Sequence, residues 1–88
     1  MTSKGNIEPI QRGNQMKINI EYCSAWNYLP QATSLMDKIK REMNVAAKLQ
    51  PSGGGVFEVT VDGTQVYSKK KTGQFPNEND LLNQLKKL

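Results

Sequence analysis

Histidine is absent from this chain. That zero removes the usual imidazole base from a Ser-His-Asp or Cys-His mechanism and the commonest ligand from a zinc or copper site, so no metal centre is expected. Cysteine occurs once, as Cys23, which forbids an intramolecular disulfide. A small chain without such a staple fits a reducing compartment better than the cell exterior. No apolar run approaches the roughly 20 residues that span a bilayer, and the N-terminal segment lacks the apolar stretch of a signal peptide. The expectation is a cytoplasmic protein without a membrane partner. Arginine is limited to Arg12 and Arg41, and no pair of aromatics flanked by Arg falls on a central strand pattern. A nucleic-acid partner is therefore not expected. Twelve Lys and Arg against eight Asp and Glu leave a net charge of +4, a mild bias toward anionic partners.

The 88 residues have room for one core only. Residues 1–15 mix Gly, Pro, Asn and Gln with scattered isoleucines and show no periodicity, which reads as a mobile N-terminal tail. The folded domain is expected over residues 16–88. Met16, Ile18, Ile20 and Tyr22 alternate with Lys17, Asn19 and Glu21, the period-two pattern of a strand with one buried face, and the strand delivers Cys23 at its end. Beyond Ser24-Ala25-Trp26-Asn27, residues Ala32, Leu35, Met36, Ile39 and Met43 recur at helical spacing. Pro30 fits only in the first turn of that helix, where its missing N–H has no intrahelical role.

Val45, Ala47 and Leu49 suggest a second strand, closed by Pro51-Ser52-Gly53-Gly54-Gly55. Residues 56–61 and 64–68 then flank Asp62-Gly63, a two-residue turn suited to a type I′ hairpin. Asn77 is placed to cap a last helix with Asp80 three residues on, Lys86 and Lys87 at its end, and Leu81, Leu82, Leu85 and Leu88 as its apolar stripe. The order β-α-β-β-β-α predicts an α/β, thioredoxin-like two-layer sandwich: a four-stranded mixed sheet with a right-handed crossover and both helices on one face.

A thiol between a strand end and a helix N-terminus lies near unpaired N–H groups and the positive end of the helix dipole, which favour thiolate. Cys23 is thus a candidate nucleophile. A free cysteine is equally a small buried hydrophobe, and spacing alone leaves both readings open. Trp26 is either an aromatic that meets a partner beside the thiol or a cap over the helix start. Tyr22, Tyr28 and Phe57 fall in regular apolar patterns and read as core. The Gly53-Gly54-Gly55 run lacks the Gly-Lys-Ser/Thr ending of a phosphate loop and precedes a strand, and Pro51 is assigned to a turn. Lys69, Lys70 and Lys71 read as a solvated exit from the last strand that discourages edge pairing.

Ile18 to Cys23, Trp26-Asn27-Tyr28, Gly54 to Val59, Ser68-Lys69-Lys70, Gly73 and Phe75-Pro76, taken in this order and spacing, resemble the selenoprotein W group of the thioredoxin-like Rdx proteins. The resemblance spans Met16 to Leu88. In that group the first strand ends in C-x-x-U or C-x-x-C, U being selenocysteine. By resemblance Cys23 takes the first redox position, and Trp26 stands where selenocysteine or a second cysteine would be. Trp cannot exchange disulfides, so turnover is expected to be impaired. The UGA codon of selenocysteine lies one base from UGG, so Trp26 is read either as a substitute for selenocysteine or as the natural residue of a paralogue.

The resemblance implies a thiol redox protein with antioxidant or redox-regulatory function. Glutathione is the co-substrate it implies, no cofactor is held tightly, and the partners are redox or regulatory proteins. The alternative is a non-enzymatic interaction module of the same fold, presenting Trp26, Lys69, Lys70, Phe75 and Pro76 to a protein. A monomer is expected in either case.

Overall fold

The computed structural model describes residues 16–88; the predicted tail, residues 1–15, lies outside the described residues. Four strands are present: β1 (Ile18–Cys23), β2 (Ala47–Ser52), β3 (Phe57–Val61) and β4 (Thr64–Ser68). Helix α1 (Leu29–Met43) crosses from β1 to β2, a single turn α2 (Lys69–Thr72) follows β4, and α3 (Glu78–Lys86) ends the chain. The sheet order is β2-β1-β3-β4. β1 runs parallel to β2 and antiparallel to β3, and β3 pairs antiparallel with β4. This is the expected four-stranded mixed sheet.

Register explains the one-sided core. Ile18 lies opposite Val61, Ile20 opposite Val59 and Tyr22 opposite Phe57, and all six side chains are buried. Successive strand residues point to opposite faces, so these six line one face while Asn19, Glu21, Glu58 and Thr60 line the other. Onto the apolar face fold Ala32, Leu35 and Ile39 of α1 and Leu81, Leu82 and Leu85 of α3, all part of one core cluster. The opposite face carries polar pairs: Asn19 Nδ2 donates to Gln50 Oε1 at 3.0 Å, and Gln65 Nε2 donates to Glu58 Oε1 at 2.9 Å. Both long helices therefore share one face, as the strand alternation predicts.

Local signals end the elements where physical chemistry requires. Asp62 and Gly63 adopt φ of 51° and 85°, the left-handed values of a type I′ turn. Asp62 also joins the turn to β1, since its Oδ1 accepts from the Lys17 N–H at 3.0 Å. The Asn77 side chain accepts from the Asp80 N–H at 3.0 Å and caps α3, with Glu78 and Asp80 in the positive first turn. α1 ends at Asn44, which takes φ 57°, a left-handed conformation that Asn tolerates better than most residues.

Several expectations need correction. Pro51 lies within β2 opposite Tyr22 and not in a turn. β2 is an edge strand paired only with β1, and at an edge a missing N–H breaks no ladder bond on the open side. Val45 is buried but sits in the link before β2. Leu88 lies beyond α3 and is exposed, so the apolar stripe stops at Leu85. The lysine run is helical: the Ser68 hydroxyl accepts from the Lys71 N–H at 3.3 Å and caps it, and Gly73 at φ 81° stops it. A capped turn of four residues leaves too short a trace of periodicity to be read in advance.

The two long helices are tied by charge. Glu42 of α1 meets Lys38 at 3.1 Å on its own helix and Lys86 of α3 at 3.0 Å. Hydrogen bonds from Lys86 and then Lys38 hold the Glu42 carboxyl below its ordinary value near 4.5. A carboxylate whose pKa is lowered by folding stabilises the fold above its unfolded pKa, and that stabilisation is lost as pH falls through the folded pKa. Glu42→Gln is therefore expected to lower the urea midpoint slightly at pH 7. The difference from the parent should shrink as the pH is lowered through the acid range and as salt is added. Urea titrations at neutral and acid pH check this, and a gap that widens in acid would contradict it.

Candidate functional site

Cys23 ends β1, and its surroundings follow from the strand pairings. Its N–H donates to the Val56 carbonyl at 2.9 Å, extending the β1–β3 ladder by one residue, and Ser52 is its neighbour across β2. Three N–H groups after the thiol are engaged by the backbone: Ser24 with Ser52 O at 2.9 Å, Asn27 with Ser24 O and Tyr28 with Cys23 O, both at 3.1 Å. The Ser24 hydroxyl also donates to Ser52 O at 3.3 Å. Residues 24–27 thus form a tight turn, with Asn27 at φ 60°. The expected cradle of unpaired N–H groups after the thiol is narrowed to those of Ala25, Trp26 and the helix start. α1 begins one residue after Tyr28, which caps it without a side-chain hydrogen bond, and Pro30 lies in the first turn as expected.

The thiol is free and fully buried, 0% exposed. It is nonetheless not a member of the helix–sheet core cluster, whose last β1 residue is Tyr22. Cys23 thus combines full burial with a place between a strand end and a helix start.

Trp26 is 62% exposed. Its indole lies against Gly55, and a Cβ added there would fall 2.5 Å from the ring. Its edge meets Tyr28 at a centroid distance of 6.1 Å, Tyr28 meets Phe75 at 4.7 Å, and Phe75 meets Phe57 at 5.3 Å, all near-perpendicular. Such edge-to-face contacts suit the ring quadrupoles. The Lys69 ammonium stands 5.5 Å from the Tyr28 centroid and 5.3 Å from that of Phe75, within cation–π range of both rings. A chain of rings therefore links Trp26, beside the thiol, to the Phe57 core, with one cation on it.

The structure brings together Trp26, Lys69 and Phe75 around Tyr28, while Cys23 ends β1 three residues before Trp26. Pro76 follows Phe75 and is half-buried, and Lys70 is exposed. Tyr22 and Phe57 belong to the core as expected, whereas Tyr28 is only partly buried and joins Trp26 to Phe75. Sequence reasoning missed Tyr28 and Gly55 as parts of the site. The available signals were the Trp26-Asn27-Tyr28 spacing and a glycine directly before a strand, which often marks a close approach.

Elsewhere, a groove of about 620 Å³ lined by Met16, Lys17, Asn19, Lys48, Thr60 and Asp62 lies at the other end of the sheet from Cys23. Among the described residues no group of three or more His, Cys, Asp or Glu could hold a metal, and no helix is long and apolar enough to cross a membrane.

Comparison with known proteins agrees with this geometry. The chain is 29% identical over 84 residues to migration and invasion enhancer 1 of Bos taurus, covering 94% of this chain and 70% of that protein. It is 33% identical over 60 residues to selenoprotein W of Mus musculus, covering 64% of this chain and 68% of that one. Among solved structures, a selenoprotein W-related protein from Vibrio cholerae superposes with a TM-score of 0.75 at 28% identity, over 84% of this chain and 96% of its own. The fold is thus the thioredoxin-like one of selenoprotein W-related proteins. The model of the Rdx family matches residues 17–87, and the chain belongs to that family.

Proposed function

We propose that this protein is a thiol redox module whose reacting atom is the Cys23 sulfur. The observation that carries the reading is positional: the chain's one cysteine ends the first strand and is followed by a turn into α1, inside the segment matched by the Rdx family. The Cys23 thiolate attacks one sulfur of a disulfide such as oxidised glutathione and that S–S bond breaks. The departing sulfur leaves as a thiolate that takes up the proton Cys23 gave up, and Cys23 is left in a mixed disulfide. A second glutathione thiol must then release it, because Trp26 supplies no resolving sulfur. Turnover is slow for that reason. Glutathione is the co-substrate, redox or regulatory proteins are the partners, the module is a monomer, and it works in a reducing compartment such as the cytoplasm.

Replacing the sulfur tests this directly. Cys23→Ser is expected to abolish adduct formation with oxidised glutathione, read by intact mass, while the circular dichroism spectrum is unchanged. An adduct that persists in the variant would overturn the reading.

A second reading is favoured by one observation. Trp26 and Leu29 are large apolar residues exposed at 62% and 44%, and Lys69 stands over the Tyr28 ring that Trp26 meets. In that reading the surface docks a protein and the thiol is a bystander. Partner capture that survives Cys23→Ser and fails with Trp26→Ala would select it.

A further inference from the structure

Trp26 and Leu29 are two of the three large apolar side chains exposed among the described residues, and Tyr28 stands between them in sequence. Trp26 is exposed yet held. A Cβ added at Gly55 would meet three indole carbons at 2.5, 2.9 and 3.0 Å, so the ring is seated on that glycine, and it stands at 88° to Tyr28 with centroids 6.1 Å apart. The same Tyr28 ring carries the Lys69 ammonium at 5.5 Å, and Phe75 carries it at 5.3 Å. An apolar anchor and a cation are thus fixed about one ring. Lys70 follows on the Ser68-capped turn and is exposed. Among the described residues neither lysine is paired with a carboxylate, whereas Lys38 and Lys86 share Glu42 and Arg41 takes Asp37. We propose that this surface docks an acidic, apolar peptide segment of a partner protein: an aliphatic or aromatic side chain packs on the Trp26 indole, and carboxylates beside it meet Lys69 and Lys70.

The inference rests on the docking reading of this surface and gives its partner a chemistry. An exposed tryptophan offers a large contact area, and one already held by its neighbours loses little freedom when a partner arrives. The turn that carries it is closed by the Asn27-to-Ser24 and Tyr28-to-Cys23 hydrogen bonds, so the anchor stands on fixed backbone. The cations supply the choice of sign: a carboxylate gains by meeting an unpaired lysine, and a basic segment is repelled. Lys69 is held over two rings and cannot swing clear of such a segment without losing both contacts. A single-stranded nucleic acid fits less well, since it needs successive open rings on which bases stack. Here Tyr28 and Phe75 are partly buried and already occupied by Lys69.

Trp26 is the chain's only tryptophan, so its fluorescence reports on this surface directly. The probe is a short synthetic peptide with a central leucine pair between runs of glutamate, compared with a peptide in which glutamine replaces the glutamates and one in which serine replaces the leucines. The acidic leucine peptide is expected to shift the Trp26 emission saturably at low salt. Both controls should bind at least about tenfold more weakly, and 1 M salt, where the Debye length is about 3 Å, should bring the acidic peptide down to the glutamine control. Lys69→Gln combined with Lys70→Gln, shown to be folded by circular dichroism, should lose a similar factor. If that variant does not fold, Lys70→Gln decides alone, since a weaker affinity at low salt supports the proposal and an equal one overturns it. Equal affinity for the glutamate and glutamine peptides overturns the acidic partner and leaves the docking reading standing. An emission unmoved by every peptide overturns the proposal, and the docking reading falls with it only where Trp26→Ala also leaves partner capture intact. Tighter binding of an oligothymidylate than of the acidic peptide assigns the surface to nucleic acid and overturns the proposal as well.

Discussion

Trp26→Cys is expected to turn a chain that waits for a second glutathione to clear its mixed disulfide into one that resolves it internally. The new thiol would lie three residues from Cys23, across the turn closed by Asn27 and Tyr28. In the dithiol form one sulfur attacks a small aliphatic disulfide, and the other displaces the bound half, so that two substrate thiols leave and positions 23 and 26 are joined. Two glutathione thiols then reduce that bond and depart as glutathione disulfide. The gain comes from proximity: well-oriented intramolecular groups reach effective molarities of about 10⁵ M, far above any free thiol. Even imperfect alignment should raise glutathione-dependent turnover at least about a hundredfold. The same substitution also removes the indole, so the comparison includes Trp26→Ala, which removes the ring without supplying a sulfur. Trp26→Cys should exceed Trp26→Ala in turnover, and equality of the two would show that no resolving step occurs at this position.

The second large effect is on stability. Phe57 is 1% exposed, lies opposite Tyr22 in the β1–β3 ladder, and meets Phe75 edge-on at 5.3 Å. Phe57→Ala removes a ring from the layer between sheet and helices and leaves its neighbours without partners. Buried Phe-to-Ala changes cost about 3–5 kcal/mol. Against a total of about 5–15 kcal/mol for a domain of this kind, that leaves the fold marginal. Urea unfolding should show the midpoint falling with the slope preserved, and a loss under about 1 kcal/mol would contradict the assigned core. Trp26→Ala, by contrast, removes a largely exposed side chain and should change stability little.

Much of the architecture was legible because the period-two pattern of Ile18, Ile20 and Tyr22 and the helical pattern of Ala32, Leu35 and Ile39 each reflect burial of one face. Asp62-Gly63 and Asn77 with Asp80 were legible because each meets a local backbone demand. Pro51 was misplaced because its position on an edge strand is a tertiary fact: the same Pro-Ser-Gly sequence reads as a turn until β1 is known to pair on one side only. The one-turn helix of Lys69 to Thr72 was hidden because three consecutive lysines carry no apolar stripe, and only the Ser68 cap and Gly73 stop define it. At the site, Cys23 and Trp26 were legible by position and resemblance. The seat of Trp26 on Gly55 was not, since a contact across 29 positions leaves no trace in local spacing.

The most direct test follows adduct formation between the parent protein and oxidised glutathione by intact mass, at urea concentrations well below the unfolding transition. An opening confined to the turn around Cys23 exposes little new surface, so its population hardly responds to denaturant, whereas global unfolding grows steeply with it. A redox site at Cys23 reached by a local opening predicts one glutathione per chain at a rate independent of low urea. A rate that climbs with urea from zero, or no adduct until the chain unfolds, would show that Cys23 is a buried structural cysteine and would contradict the account.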